Sequence, residues 1–302
     1  MKSTAVPTRS AATASPIRNG DATWKTDTVS GPDRLAGAQP SQTAVYRRYA
    51  QLQAIRGERF PDAAADGLAG RLIACVGFGL EGAELALATT ISGGTFLGID
   101  PSSEHLKAAV RNGSCDFMVN TLEESLRVLK NEIRKRKALS VGLLGEASAI
   151  LPTMVERGVQ PDLVAETVVS DREAAVSFDH PALLQLVERG AVHVDTPAAK
   201  HSSSSGLVEV VWTAESIADL KRMDTLALEQ LPPDDTIRRR WLRQAPGCFH
   251  RQRPLQRVLG MHSEEVTRLA EEFMNAVSAA AIQSPATLHW RTADGAKQSI
   301  AL

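Results

Sequence analysis

Three glycines with the spacing Gly-x-Gly-x-x-Gly are the residues of this sequence best suited to hold a ligand. Gly77, Gly79 and Gly82 stand in the stretch CVGFGLEGAELA, after an apolar run and before an Ala/Leu-rich segment. The first glycine would allow a tight turn, the second would let the backbone approach a diphosphate, and the third would let helix and strand pack closely. The motif therefore predicts a dinucleotide-binding turn at a helix N-terminus, where an anion is favoured. An ordinary tight turn in a domain without a nucleotide is the alternative.

An acidic residue stands where such a turn needs a partner. Asp100 ends the next apolar strand pattern, about 20 residues after the glycines, where a carboxylate accepts ribose hydroxyls. The nearest basic residues are His105 and Lys107, and no arginine follows directly, which favours NAD over NADP. Glu81, inside the loop, would repel a diphosphate unless its side chain points away. The predicted cofactor contacts here are Gly77, Gly79, Leu80, Gly82, Asp100 and His105.

Carboxylates also follow several later strand patterns. Ligands of an open parallel sheet bind beyond the carboxyl ends of its strands, so Gly145 and Glu146 are further candidate cofactor contacts. Glu166, Asp171 and Asp195 are candidate general bases near a nicotinamide. Each could instead be a helix cap or a loop carboxylate. No spacing of His, Cys, Asp or Glu predicts a metal site.

An arginine-rich segment lies toward the C-terminus and could meet a small anionic substrate. Its first members are Arg238, Arg239, Arg240 and Arg243, with Trp241 between them. A solvated helix face with ion pairs between subunits of a homodimer is the alternative. The whole chain carries 34 Lys and Arg against 35 Asp and Glu, so its charge does not favour nucleic acid.

The elements that would position these residues alternate between short apolar strands and amphipathic helices. From 66 to 200 this pattern predicts an α/β domain with a doubly wound, Rossmann-like parallel sheet covered on both faces. A helix within 41–65 leads into it, and 201–302 predicts a helical C-terminal extension with a terminal hairpin. Residues 1–40, rich in Ser, Thr, Ala, Pro and Gly, predict a flexible arm.

Composition narrows the setting of the protein. The three cysteines are far apart in the sequence, which is typical of a reducing compartment. No apolar stretch approaches the length of about 20 residues that spans a membrane, and no apolar segment follows the N-terminus as in a secretory signal. We therefore expect a cytoplasmic protein that does not contact membranes.

The residues described so far resemble those of the urocanase (urocanate hydratase) family. AGRLIACVGFGLEGAELALA is similar to its glycine-rich NAD segment, and FLGIDPSSEHL to its second strand with the ribose-binding acid, here Asp100. SVGLLGEASAILPTMVERGVQPDLV resembles the strand, Gly-Asn-Ala loop, helix and strand that follow. The resemblance covers roughly 66–290 and implies tightly bound NAD+ that acts as an electrophile during hydration of the substrate.

The sequence also departs from that family, as a shortened and divergent homologue would. Glu146 replaces the asparagine of the Gly-Asn-Ala loop. The tyrosine of the family's Asp-Tyr-Gly-Asn-Asn stretch falls on Thr196, and its catalytic cysteine falls near Ser202. We therefore expect an NAD-dependent oxidoreductase acting on a small metabolite. An NAD-assisted hydratase or lyase is one alternative. A non-catalytic nucleotide-binding or scaffold protein is the other, which the carboxylates of Glu81 and Glu146 would favour.

Overall fold

Two sheets organise the protein in the computed structural model, which describes residues 39–61, 67–167, 180–195, 206–250, 252–291 and 296–302. The first sheet is parallel and has six strands, and the second is antiparallel and has four. Nearly all of the predicted arm over 1–40 lies outside the described residues.

The parallel sheet has the strand order β3-β4-β2-β1-β5-β6. Its strands are Leu72–Val76 (β1), Thr95–Asp100 (β2), Phe117–Val119 (β3), Leu139–Leu144 (β4), Leu163–Glu166 (β5) and Val192–Val194 (β6). All of β2 is buried and β1 nearly so, because helices cover both faces of the sheet. The predicted doubly wound, Rossmann-like α/β fold is confirmed.

Six helices accompany this sheet, and several of them begin at side-chain caps that the sequence provides. They are Gln42–Arg59 (α1), Leu80–Ile91 (α2), Ser103–Asn112 (α3), Leu122–Arg134 (α4), Ala147–Glu156 (α5) and Pro181–Glu188 (α6). Ser41, Ser102 and Thr121 each accept a hydrogen bond from the backbone N–H three residues on, which satisfies a donor that the helix leaves unpaired. Within the described residues, no helix combines the length and apolarity needed to cross a membrane.

A second sheet follows in the C-terminal part, in the order β10-β9-β7-β8. Its strands are Val208–Ala214 (β7), Gln256–Met261 (β8), Ala286–Arg291 (β9) and Lys297–Ala301 (β10). It is accompanied by the helices Ile217–Gln230 (α7), Thr236–Phe249 (α8) and Ser263–Ser278 (α9). The sequence predicts these helices and the β9–β10 hairpin, but not β8, which completes the sheet. The predicted turn at Asp294-Gly295 lies outside the described residues.

One hydrophobic core joins the two sheets. It contains Leu52 of α1, Leu85 of α2, Trp241 of α8 and Trp212 of β7, all essentially inaccessible to solvent. A separate core on the other face of the parallel sheet packs β strands against α4, α5 and α6, through residues such as Leu151. The helices α1, α2 and α8 therefore lie between the sheets and fix the glycine turn relative to the C-terminal part.

Candidate dinucleotide-binding site

The glycine turn lies where the strand order of the parallel sheet reverses. β1 pairs with β2 on one side and with β5 on the other, so the chain adds strands on opposite sides of β1. Open α/β sheets bind ligands beyond the carboxyl ends of their strands at such a point. Residues 77–79 connect β1 to α2 there, which gives the glycine motif the structural context that it requires.

Two of the three glycines are required by backbone geometry. Gly77 has φ +90°, a conformation that side chains disfavour, and its N–H donates to the Ile99 carbonyl oxygen at 2.8 Å. A Cβ on Gly82 would lie 2.3 Å from the Gly77 carbonyl oxygen, far inside van der Waals contact. The Thr167 hydroxyl, at the end of β5, donates to that same oxygen at 3.1 Å. The turn is thus closely packed between β1, β2 and β5.

The N-terminus of α2 is suited to an anion. Gly79 is its N-cap and brings no side chain to accept a hydrogen bond. The first N–H groups of a helix have no partner within the helix, and they carry the positive end of its dipole. The first turn, from Leu80 to Gly82, therefore offers backbone donors of the kind that bind a diphosphate.

Asp100 is fully buried and holds the glycine turn in place. Its carboxylate accepts hydrogen bonds from the Phe78 N–H at 2.6 Å and from the Ser102 N–H at 2.7 Å. Nδ1 of His105 lies 3.2 Å from Oδ2 of Asp100, and the His105 side chain is 20% exposed. His105 therefore covers the carboxylate. A ribose would meet His105 first, or would reach Asp100 only after that imidazole moved aside.

Glu81 is paired with a buried arginine of α1. Nη2 of Arg48 lies 3.4 Å from Oε2 of Glu81, and Nη1 donates to the Asp195 carbonyl oxygen at 3.3 Å. Glu84, one turn further along α2, faces the same group, and burial raises its pKa to about 7. Burial lowers the pKa of the Arg48 guanidinium, and the carboxylates of Glu81 and Glu84 oppose that effect.

The other predicted contacts lie along the carboxyl edge of the sheet, but at different distances from the turn. The Gly145 N–H donates to the Asp100 carbonyl oxygen at 3.1 Å, which brings the β4 loop beside the end of β2. Glu146 is exposed and is the N-cap residue of α5, without a hydrogen bond from its side chain to the helix. Its carboxylate therefore faces solvent.

Of the predicted general bases, Glu166 lies closest to the turn in the sheet. It is the last residue of β5, is partly buried and pairs in register with Val76 of β1. The Asp195 side chain follows β6, is 82% exposed and pairs with Nδ1 of His193 at 3.0 Å. Asp171 lies outside the described residues. Within the described ranges, no group of three His, Cys, Asp or Glu could hold a metal ion.

The arginines predicted to meet an anionic substrate do not form one site. Arg238 is buried and pairs with Glu265, with Nη2 2.9 Å from Oε1, and also with Asp235. Arg239 donates to two backbone carbonyl oxygens at the C-terminal end of α7. These two side chains hold the C-terminal part together, so their assignment to a substrate is corrected.

Of the remaining two arginines of that set, Arg240 is remote from the glycine turn. Arg240 borders a concavity lined by Ala69, Gly93 and Ala138, which lie one to three residues before the starts of β1, β2 and β4. The amino ends of parallel strands share one edge, so Arg240 lies at the edge of the sheet opposite the turn. Arg243 is exposed on α8.

Comparison with protein-family models agrees with this geometry. The model of the urocanase Rossmann-like domain matches residues 40–199, more than half of the chain. The chain belongs to the urocanase family. In this family the matched domain is the one that binds NAD, so the fold, the resemblance in sequence and NAD as the cofactor are confirmed.

The residues around the turn fit a dinucleotide. The crowding around Gly82 excludes any side chain there, the uncapped start of α2 presents backbone donors, and Glu81 is paired with Arg48. When bound, NAD supplies a nicotinamide that accepts a hydride or acts as an electrophile. The roles of the single residues are not tested by the family match and remain predictions.

Sequence reasoning missed two residues that support the turn. The Thr167 hydroxyl donates a hydrogen bond to the Gly77 carbonyl oxygen. A single threonine at a strand end does not by itself predict such a contact. Arg48 does have a weak one, because it stands three residues after Val45 and four before Leu52, on the buried face of α1. An arginine on an apolar helix face implies an acceptor within its reach, and here the acceptors are the Glu81 carboxylate and the Asp195 carbonyl oxygen.

Proposed function

We propose that this protein is an NAD-dependent oxidoreductase acting on a small molecule. The observation that supports it best is the closely packed glycine turn at the strand reversal, beside the uncapped first turn of α2. The urocanase-like Gly-Asn-Ala loop carries Glu146 instead of asparagine, which separates the chain from the hydration chemistry of its family. A retained NAD site without that loop most simply serves hydride transfer.

Glu166 is the general base in this proposal. Its position at the end of β5, next to Val76 and one residue before Thr167, places it on the side of β1 away from Asp100. In such an oxidation the carboxylate of Glu166 would take the proton that the substrate loses, and bound NAD would supply the hydride acceptor. The proposal does not use Arg238 and Arg239 for substrate binding, because both side chains are engaged within the C-terminal part.

A second function is supported by the family itself. Urocanase is a hydro-lyase, and an NAD-assisted hydratase or lyase would use the same glycine turn with no net redox change. In that reading Glu166 would protonate or deprotonate the substrate. The two functions differ in one product, because only the oxidoreductase releases NADH.

Purified protein incubated with NAD+ and a fractionated metabolite extract distinguishes these functions. We expect NADH to form, and we expect Glu166→Gln to lower that rate at least tenfold, as for general bases, while NAD+ affinity measured by calorimetry stays unchanged. A substrate consumed without formation of NADH would favour the lyase. A folded protein that binds no NAD+ at millimolar concentration would contradict both functions.

We also expect the protein to be cytoplasmic and to form a homodimer. Native mass spectrometry of the purified protein tests the homodimer.

A further inference from the structure

A buried arginine of α1 reaches the first turn of α2, where the diphosphate is expected. The Arg48 side chain is 3% exposed and contacts the Glu81 carboxylate and the Asp195 carbonyl oxygen. Its Nε is buried and has no hydrogen-bond partner among the described atoms. A buried guanidinium with an unfilled donor is costly, so simple packing explains this position poorly.

The first turn of α2 poses an electrostatic problem that Arg48 can solve. Glu81 is the second residue of the helix, within one turn of the N–H groups that would bind a diphosphate. Two like charges a few ångströms apart near a protein surface repel each other. A free Glu81 carboxylate would therefore cancel much of the attraction that the helix N-terminus offers an anion.

We propose that Arg48 is a positioning residue that neutralises Glu81 and ties its carboxylate to α1, so that α2 can accept the diphosphate of a dinucleotide. This inference rests on the proposed NAD site. The contact from Arg48 to the Asp195 carbonyl oxygen supports it, because it fixes the guanidinium between α2 and the end of β6. Glu84 faces the same guanidinium, and its raised pKa leaves it only partly charged near neutral pH. The positive charge of Arg48 therefore remains available to offset the Glu81 carboxylate.

A double-mutant cycle tests this role directly. Arg48→Met is expected to weaken NAD+ binding about tenfold, as follows from an unpaired carboxylate beside the diphosphate. In the presence of Glu81→Gln the same change is expected to cost less than about threefold. Glu81→Gln alone is expected to tighten binding about threefold, because Arg48 then faces the diphosphate without its carboxylate partner. Calorimetry at low salt with NAD+ measures all four proteins, and added salt should shrink the differences.

Arg47→Met is the matched control. Arg47 neighbours Arg48 on α1 and also forms an ion pair, with its Nη2 3.2 Å from Oε2 of Glu209. This pair is exposed, and Glu209 lies on β7, away from the first turn of α2. Its replacement should leave NAD+ affinity unchanged. Equal losses for Arg47→Met and Arg48→Met would overturn the proposal, as would a loss for Arg48→Met that persists with Glu81→Gln.

Two outcomes separate this inference from the proposed NAD site. If the folded wild-type protein binds no NAD+, both fail; if it binds NAD+ but the cycle shows no coupling, only the role of Arg48 fails. Should Arg48→Met not fold, Glu81→Gln decides alone, because its carboxylate is 37% exposed and the variant keeps the core. Tighter binding then supports the proposal, and unchanged or weaker binding overturns it.

Discussion

At the scale of single residues, the glycine turn depends on the absence of one methyl group. Gly82→Ala would place a Cβ 2.3 Å from the Gly77 carbonyl oxygen and 3.4 Å from the Thr167 hydroxyl. Relief requires the turn to move away from β5, because both neighbours are held by hydrogen bonds. We expect the free energy of unfolding to fall by about 1–3 kcal/mol, and NAD+ affinity to fall at least tenfold.

Gly57→Ala is the matched control for that substitution. Gly57 also lies in a helix, α1, but a Cβ there would meet nothing within 4 Å. Alanine is the better helix former, so this variant should gain up to about 1 kcal/mol and bind NAD+ normally. Denaturant unfolding and calorimetry of both variants check the pair. Unchanged NAD+ affinity for Gly82→Ala would mean that the turn does not hold the cofactor.

Single residues also show where sequence reasoning reaches its limit. The position of Asp100 at the end of β2 follows from strand periodicity, and the structure confirms that position. Its burial under His105 does not follow, because it depends on where α3 begins and how its first turn folds back on the carboxylate. Pairing of Glu81 with Arg48 is likewise a contact between two helices, and no local pattern encodes it.

At the scale of elements, α1 and α2 pack together through charged as well as apolar groups. Burial raises the pKa of Glu84 to about 7, from 4.5 in an unperturbed chain. Between these values the folded protein binds the Glu84 proton more tightly than the unfolded chain. Stability from this group is therefore fully present below about pH 4.5 and is lost as the pH rises through 7. We expect a loss of roughly 3 kcal/mol across this range.

Chemical unfolding between pH 5 and 8 measures this effect. Glu84→Gln should flatten the decline, because an amide does not titrate in that range. Glu104→Gln is the control, since Glu104 on α3 is 66% exposed and pairs only with Lys107 in the following turn. Its replacement should leave the pH profile as in the wild type. A decline of the same slope in Glu84→Gln would assign the pH dependence to other groups.

The elements themselves follow the sequence most closely where their periodicity is regular. β2, α2 and β4 coincide with the stretches TFLGID, LEGAELALATTI and LSVGLL, because a buried strand is a continuous apolar run and a helix favours Ala and Leu. β8 was not predicted. Its segment carries Arg257, whose charge argues against a buried strand. The Arg257 side chain is nevertheless buried, because its Nε lies 2.9 Å from Oδ2 of Asp224 on α7.

At the scale of the whole molecule, the family match ends near residue 199, whereas the hydrophobic core continues into the C-terminal part. The Tyr49 hydroxyl donates to the Ile237 carbonyl oxygen at 2.7 Å, and the ring of Tyr49 lies 5.3 Å from that of Trp241. The Trp241 indole N–H donates to the Val258 carbonyl oxygen at 2.6 Å. Thus α1, which lies within the matched region, completes its burial only against α8 and β8.

This shared core predicts that the two parts do not separate when the chain between them is cut. When the folded protein is cleaved at a protease site introduced between residues 200 and 205, we expect the two fragments to elute together in gel filtration. Trp241→Ala should cost about 3–5 kcal/mol and release the fragments after cleavage. Fragments that part without this substitution would mean that 40–199 folds independently. Continued NAD+ binding by the cut, still associated protein would further show that the glycine turn does not need an unbroken chain to the second sheet.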